Sequence, residues 1–245
     1  MTATLATASR RLPRGWAHLA LQFGLWIGFY FAYQGARGLA DRGGVTAAFA
    51  NGQWIIDFQR GLGAMFELSL QRLVESSGFL IQATSLTYWL SQFAVVGFAL
   101  VWVYFRAHER FFAFRNMLIA GNLIGLAGYV LVPTAPPRMF PGAGFTDTLA
   151  AHSTVNHSSS FVAFASNPYA AMPSLHALDA LIVSGVMAAV VQRRWAKILW
   201  LAWAPWVWFA VMATGNHFWL DVAAGVLVAA AAAAIVYRPW RRSRP

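Results

Sequence analysis

Long apolar stretches dominate the chain, and most polar positions lie between them. Six stretches approach the 20 or so apolar residues that a transmembrane helix needs: residues 16–36, 79–105, 111–132, 174–191, 196–214 and 217–237. The first is long for a signal peptide and lacks a clear cleavage site, which favours an uncleaved anchor. The pattern therefore predicts an all-α, polytopic membrane protein with six transmembrane helices.

Two longer segments lie between the predicted spans. In residues 44–75, two sets recur at helical spacing on different faces, an apolar set and a polar set. The apolar set is Ile55, Phe58, Leu62, Met65, Phe66 and Leu73, and the polar set is Asp57, Arg60, Glu67 and Gln71. This indicates an amphipathic helix on the membrane or on other helices, either as a plain connector or with a role in guiding substrate. Residues 133–173 form a loop of unusual length, and long loops are often functional.

Basic residues indicate the orientation, because Lys and Arg accumulate in cytoplasmic segments. With the N-terminus inside, the inner segments contain Arg10, Arg11, Arg14, Arg106, Arg110, Arg115, Arg193, Arg194, Lys197, Arg238, Arg241, Arg242 and Arg244. The outer segments contain only Arg37, Arg42, Arg60, Arg72 and Arg138. Both termini are therefore predicted to be cytoplasmic.

Composition supports a membrane protein and excludes several other classes. Of the 245 residues, 59% are hydrophobic and 11% charged, against roughly 25% charged in soluble domains. Such hydrophobicity excludes intrinsic disorder, and the absence of cysteine excludes a disulfide scaffold. The net charge of +10 lies in short clusters between apolar runs, which argues against a nucleic-acid partner. We expect a single membrane domain over residues 1–245 in a cell membrane, and the arginine-, alanine- and glycine-rich composition suggests a bacterial source.

Two histidines lie at predicted outer ends of spans. His217 and Asp221 are four residues apart, which would place them on one helix face, where the carboxylate could hold the imidazole in one tautomer. A purely structural role for the pair of His217 and Asp221 is an equal alternative. In the Met-Pro-Ser-Leu-His run, Ser174 is a candidate helix cap or hydroxyl donor. His176 would protonate a leaving group or would be an interfacial histidine.

Arg138 follows the third predicted span in a proline-rich turn. Its guanidinium could clamp a phosphate, or the side chain could simply extend from the interface to water. The predicted topology brings Arg138, Ser174, His176, His217 and Asp221 to one membrane face. A cation, helix N-termini that attract anions and two histidines together predict a site for phosphoryl transfer.

These three motifs, in this order, resemble the signatures of the type 2 phosphatidic acid phosphatase superfamily. They are the Pro-Pro-Arg ending at Arg138, the Pro-Ser-Leu-His ending at His176 and the Gly-Asn-His-x3-Asp ending at Asp221. The likeness is closest to the branch that contains inositol phosphorylceramide synthases. It covers about residues 111–237, which we take as the catalytic core.

The resemblance implies a role for each matching residue. His217 would attack phosphorus to form a phosphohistidine, Asp221 would orient and charge it, and His176 would protonate the leaving oxygen. Arg138 and Ser174 would bind the phosphate. The implied enzyme is an integral membrane lipid phosphatase or phosphotransferase that needs no metal or other cofactor. Its implied substrate is a phospholipid or a polyprenyl phosphate at the outer leaflet.

The chain also departs from the family pattern. Leu131 stands where the first motif has Lys, Ala210 and Val211 stand where the third has Ser-Arg, and Leu175 replaces a usual Gly. Two phosphate-binding cations are therefore missing.

Hydrogen bonds from other polar side chains would have to replace these cations. The candidates are Asn216, Asn167 and Tyr169.

Other functions remain open at this point. A non-catalytic channel, lipid transporter or scramblase could use the same polar residues as a headgroup path. A b-type haem protein could use His176 and His217 as axial ligands. For the enzyme, the sequence leaves the choice between water and a hydroxyl acceptor open, and it does not indicate an oligomeric state.

Overall fold

The computed structural model describes residues 13–39, 44–152 and 168–238. Within these ranges the chain is helical and contains no β-strand, which confirms the all-α prediction. In chain order the helices are α1 Gly15–Leu39, α2 Val45–Gly61, α3 Glu67–Glu75, α4 Gly78–Leu90, α5 Val96–Arg106, α6 His108–Leu131, α7 Thr148–His152, α8 Leu175–Val190, α9 Arg194–Ala213 and α10 Trp219–Tyr237.

Four helical segments of the described chain are long and apolar enough to cross a membrane. They are Gly78–Arg106, His108–Leu131, Arg194–Ala213 and Trp219–Tyr237. The spans predicted at 16–36 and 174–191 are not among them. Helix α8 has only 16 residues, about 24 Å, whereas the hydrocarbon core is about 30 Å thick. A multi-pass membrane protein is therefore supported, while the count of six spans stays a prediction.

Helices α4 and α5 form one continuous rod that is joined by a π-helical turn at Ser91–Val95. The rod begins at Ser77, whose hydroxyl accepts a hydrogen bond from the Leu80 amide. A π-helical turn inserts an extra residue, and such turns are frequent at functional sites. Here the turn brings Gln92 and Phe93 to the wall of a cavity.

The N-terminal half of α8 packs closely on α6 and α10 because glycines face it. A Cβ atom at Gly125 of α6 would lie 2.4 Å from the Leu175 side chain. One at Gly225 of α10 would lie 2.3 Å from the Ser174 carbonyl oxygen. These contacts hold the start of α8, and with it His176, beside both neighbouring helices.

The amphipathic segment at 44–75 is two helices, not one. Gly63, with φ of 63°, lies in the turn that separates α2 from α3. The polar face was also assigned wrongly in part, since Glu67 and Gln71 are buried. They are buried because they bond groups from elsewhere in the chain: Glu67 accepts from the Trp219 amide and Gln71 donates to the Thr146 carbonyl.

The two ends of the helix bundle differ in charge. Arg110, Val190 and Tyr237 line one groove, so the start of α6 and the ends of α8 and α10 lie together. This end carries many of the basic residues that were predicted to be cytoplasmic. The terminal segments 1–12 and 239–245 lie outside the described residues, as does Asn167.

Candidate active site

A cavity of about 440 Å³ lies at the opposite end of the bundle. Its walls come from α1, the α4–α5 rod around the π-helical turn, α6, the first two turns of α8, and the loops that follow α6 and precede α8 and α10. Arg138, His176, Asn216 and His217 line it. The structure therefore brings together four of the residues that the sequence nominated.

His217 does not lie on the last helix, which corrects the sequence interpretation. Helix α10 begins at Trp219, and His217 stands in the turn before it. The backbone amide of His217 donates to the Val211 carbonyl oxygen, at 3.1 Å. The Asp221 carboxylate accepts from the Phe218 amide at 2.8 Å and so caps α10. The pairing of His217 with Asp221 thus arises across a helix cap.

The His217 ring is oriented by a backbone carbonyl. Its Nδ1 lies 3.0 Å from the Ala171 carbonyl oxygen and 3.5 Å from the nearer oxygen of Asp221. Because a carbonyl only accepts hydrogen bonds, this contact favours the tautomer with the proton on Nδ1 and the lone pair on Nε2. The fully buried Asp221 carboxylate is close enough to stabilise positive charge that develops on the ring.

His176 occupies the first turn of α8. Ser174 caps this helix, since its hydroxyl accepts from the Ala177 amide at 3.3 Å. The His176 ring stacks on Tyr88 with 4.5 Å between centroids, and its Nε2 lies 3.2 Å from the Tyr88 carbonyl oxygen. The ring centroids of His176 and His217 are 5.8 Å apart. One reacting group can therefore lie within reach of both rings.

Arg138 is fixed beside the His217 turn. Its amide donates to the Gly215 carbonyl oxygen at 2.8 Å, and its guanidinium donates to Asn216 Oδ1 at 2.6 Å. The guanidinium also lies 3.6 Å from Asp147. Asn216 in turn donates to the Thr214 hydroxyl at 2.8 Å. Among the described residues that line the cavity, Arg138 is the only Lys or Arg.

Three nominated residues lie outside the cavity wall: Ser174, Tyr169 and Asp221, the last of which contacts His217. Ser174 is fully buried as the helix cap, and Tyr169 packs its ring on Phe49 with 6.1 Å between centroids. Phosphate binding by Ser174, Asn216 and Tyr169 therefore stays a prediction.

Comparison with known proteins identifies the family of this chain. The sequence profile of the PAP2 superfamily matches residues 53–235, which is most of the chain and includes Arg138, His176, His217 and Asp221. The chain belongs to the PAP2 superfamily. This confirms the family resemblance that the three motifs indicated.

A curated relative of this PAP2 superfamily protein is a phosphoinositol dihydroceramide synthase of Bacteroides thetaiotaomicron. The two are 30% identical over 138 residues, which is 51% of this chain and 45% of the relative. The chain therefore spans about half the length of the curated relative it matches. No solved structure gives a significant match.

Three residues of this PAP2 superfamily protein that motif analysis missed also position the site. Tyr88 contacts His176, the Ala171 carbonyl contacts His217, and Asn122 donates to Asp179 at 2.9 Å in the cavity wall. The π-helical turn follows Tyr88 closely, but the sequence contains no obvious signal for it. The other two contacts join distant parts of the chain.

Potential metal ligands are not clustered in the part of the chain that the structure describes. No group of three or more His, Cys, Asp or Glu side chains there is arranged to hold a metal ion.

Proposed function

We propose that this protein cleaves a phosphate ester of a membrane lipid through a phosphohistidine on His217. The observation that carries the proposal is the pair of histidine rings, 5.8 Å apart, beside Arg138 in one cavity. A nucleophile, a proton donor and a cation for the phosphate oxygens are the groups that phosphoryl transfer through a covalent intermediate requires. The superfamily match supports the same chemistry.

The first step uses the tautomer that the Ala171 carbonyl favours. Nε2 of His217 attacks phosphorus, and a nitrogen–phosphorus bond forms as the bond to the leaving oxygen breaks. Protonated His176 gives its proton to that oxygen, so the leaving group departs as a neutral alcohol. Arg138 stabilises the charge on the phosphoryl oxygens, and Asp221 stabilises the positive charge on the His217 ring.

The second step returns the enzyme to its starting state. Neutral His176 accepts the proton of an incoming hydroxyl group, whose oxygen attacks phosphorus while the bond to His217 breaks. Water as acceptor gives a phosphatase, and an alcohol gives a phosphotransferase. Asn216 holds the Arg138 guanidinium in place through both steps.

The lipid would reach the cavity from the side. Aromatic residues of α1 and the π-helical turn form that wall, and Phe31 and Phe93 in it are exposed by 57% and 52%. Exposed aromatic side chains on a membrane protein are suited to contact with acyl chains. The basic residues at the other end of the bundle support an outer-leaflet position for the reaction.

A hydroxyl acceptor is the second candidate, and two observations favour it. The matched relative is named as a synthase. The cavity also contains Asp179 and Asn122, which hydrogen-bond to each other in its wall and are able to exchange hydrogen bonds with an alcohol.

The test is product formation by purified protein in detergent with excess EDTA. Phosphatidic acid, a polyprenyl phosphate and phosphatidylinositol would each be supplied with and without a polyol or diacylglycerol acceptor. We expect turnover with at least one of them that persists in EDTA and is lost in His217→Ala. His108→Gln, at the far end of α6, is the matched control and keeps full activity.

The products separate the two candidates. Phosphate release in water alone indicates a phosphatase, and product that depends on the added alcohol indicates a transferase. No turnover under any condition, or lipid movement across vesicles that survives His217→Ala, would contradict the proposal and favour a non-catalytic lipid transporter or scramblase.

A further inference from the structure

A second cavity, of about 350 Å³, lies between α1, the α4–α5 rod and α6. It adjoins the candidate active site at Trp26, which lines both cavities, but its polar end is distant, because Arg115 in its wall lies about 21 Å along α6 from Tyr129 in the first cavity. Most of its wall is apolar. Polar side chains occur at Gln22, Tyr104 and Arg115.

Two arginines converge next to this polar part. The guanidinium of Arg14 lies 4.9 Å from the centroid of the Phe112 ring, and that of Arg115 lies 5.2 Å from the same centroid. Arg115 also donates to Gln22 Oε1 at 2.5 Å and to Asn116 Oδ1 at 2.8 Å.

These cations lack a negative partner in the described part of the chain. The ion pairs found there join Arg138 to Asp147 and His217 to Asp221, so no carboxylate neutralises Arg14 or Arg115. Two like charges around one ring repel each other. A bound anion would relieve that repulsion, and a phosphate group would match the planar donors of both guanidinium groups.

The second cavity forms a groove along the α4–α5 rod, and the apolar part of this groove indicates the chemical class of the anion. Its wall extends along the rod from Ala94 to Tyr104, about 15 Å, which equals half of a hydrocarbon core about 30 Å thick. A free phosphate ion would leave this surface uncovered, whereas an acyl chain would cover it. Basic pockets between transmembrane helices are known to hold anionic headgroups.

We propose that this groove binds one anionic phospholipid. Its phosphate lies between Arg14 and Arg115, and one acyl chain follows the groove beside Leu19 and Phe98 towards Ala94. With the orientation predicted above, the lipid belongs to the inner leaflet. The site is thus distinct from the outer-leaflet reaction in position.

Native mass spectrometry can test the site on His217→Ala protein, in which the proposed reaction cannot consume the lipid. The protein would be titrated with phosphatidylglycerol and phosphatidylcholine of identical acyl chains. We expect phosphatidylglycerol to bind more tightly than phosphatidylcholine. This preference, the ratio of the two dissociation constants, should fall about fivefold in Arg14→Gln and by a similar factor in Arg115→Gln. Arg194→Gln removes an exposed cation at the same end of the bundle and is expected to leave the preference unchanged.

A second variant tests the acyl chain without altering charge. Gly97 lines the groove, and a Cβ atom there would meet nothing within 4 Å. Gly97→Phe should fill the groove and weaken the binding of both phospholipids. Glycerol phosphate, which has no acyl chain, should bind weakly to every variant. Arg14 is exposed, so Arg14→Gln remains informative if Arg115→Gln does not fold.

Three results would overturn the proposal. In the first, Arg14→Gln and Arg115→Gln change the preference for phosphatidylglycerol no more than Arg194→Gln does. Another is a preference that is abolished by Arg138→Gln, which would locate the anionic lipid in the first cavity. The third is glycerol phosphate binding as tightly as the lipid, which would indicate a site for free anions.

Discussion

At the scale of single residues, Glu67 is a buried carboxylate. It is the first residue of α3, and it contacts the start of α10, the last helix. Its Oε1 accepts from the Trp219 amide at 2.8 Å and from the Gln59 side chain at 2.7 Å. A negative charge near a helix N-terminus is favourable, and this contact ties α3 to the turn that carries His217. Burial raises the pKa of Glu67 above its ordinary value, although the bond from Trp219 opposes that change.

The raised pKa predicts how stability depends on pH. The folded protein holds the Glu67 proton more tightly than the unfolded chain does. Its contribution to stability is therefore fully present below the ordinary value of about 4.3 and is lost as the pH rises through the folded-state pKa. Glu67→Gln keeps an oxygen for the Trp219 amide and removes the charge, so its thermal midpoint should decline less between pH 5 and pH 8 than that of the wild type.

The control for Glu67→Gln is Asp57→Asn, which neutralises an exposed carboxylate on α2. It should retain the pH dependence of the wild type. A Glu67→Gln protein with an unchanged decline, or with lower stability at pH 8 than the wild type, would show that the buried charge is not the cause.

At the scale of elements, the start of α8 depends on the absence of side chains on its neighbours. A Cβ atom at Gly225 would lie 2.3 Å from the Ser174 carbonyl oxygen, and this oxygen belongs to backbone that cannot move alone. The Ser174 amide also donates to the Asp221 carbonyl oxygen at 2.9 Å. Displacement of α8 would therefore disturb His176 and the His217 turn together.

We expect Gly225→Ala to lower both stability and turnover. Overpacking of this kind costs about 1–3 kcal/mol, and it should reduce the thermal midpoint and the rate in the assay above. Gly185→Ala is the matched control, because a Cβ atom at Gly185, in the middle of α8, meets nothing within 4 Å. Equal behaviour of the two variants would contradict the account of how α8 is positioned.

The elements also explain which features could be predicted from the sequence. Apolar runs located the helices, because burial in lipid requires long apolar segments. The spacing of His217 and Asp221 predicts that both lie on one helix face. In the structure, His217 precedes Phe218, the N-cap of α10, and Asp221 is the third residue of that helix, which gives the same spacing of four. Spacing alone cannot distinguish these two arrangements. The contacts of the Ala171 carbonyl with His217 and of Glu67 with Trp219 could not be predicted. Their partners lie far away along the chain, where periodicity carries no information.

At the scale of the whole molecule, the proposed outer-leaflet reaction requires a site that faces away from the cytoplasm. The chain contains no cysteine, so single cysteines can be introduced without background. Ser69 is exposed on α3 near the site, and Gln192 is exposed after α8 at the opposite end. We expect a membrane-impermeant maleimide to label Ser69→Cys in intact cells, and Gln192→Cys only after the membrane is permeabilised. The reverse pattern would place the site at the inner leaflet.

During turnover, we expect His217 to carry the phosphoryl group. The most direct measurement is to mix active protein with substrate labelled at phosphorus, quench in alkali, in which a nitrogen–phosphorus bond survives, and locate the label by peptide mass spectrometry. We expect label on His217, loss of that label when an acceptor is added, and no label in His217→Ala. Label on a different residue, or continued turnover by His217→Ala, would contradict it.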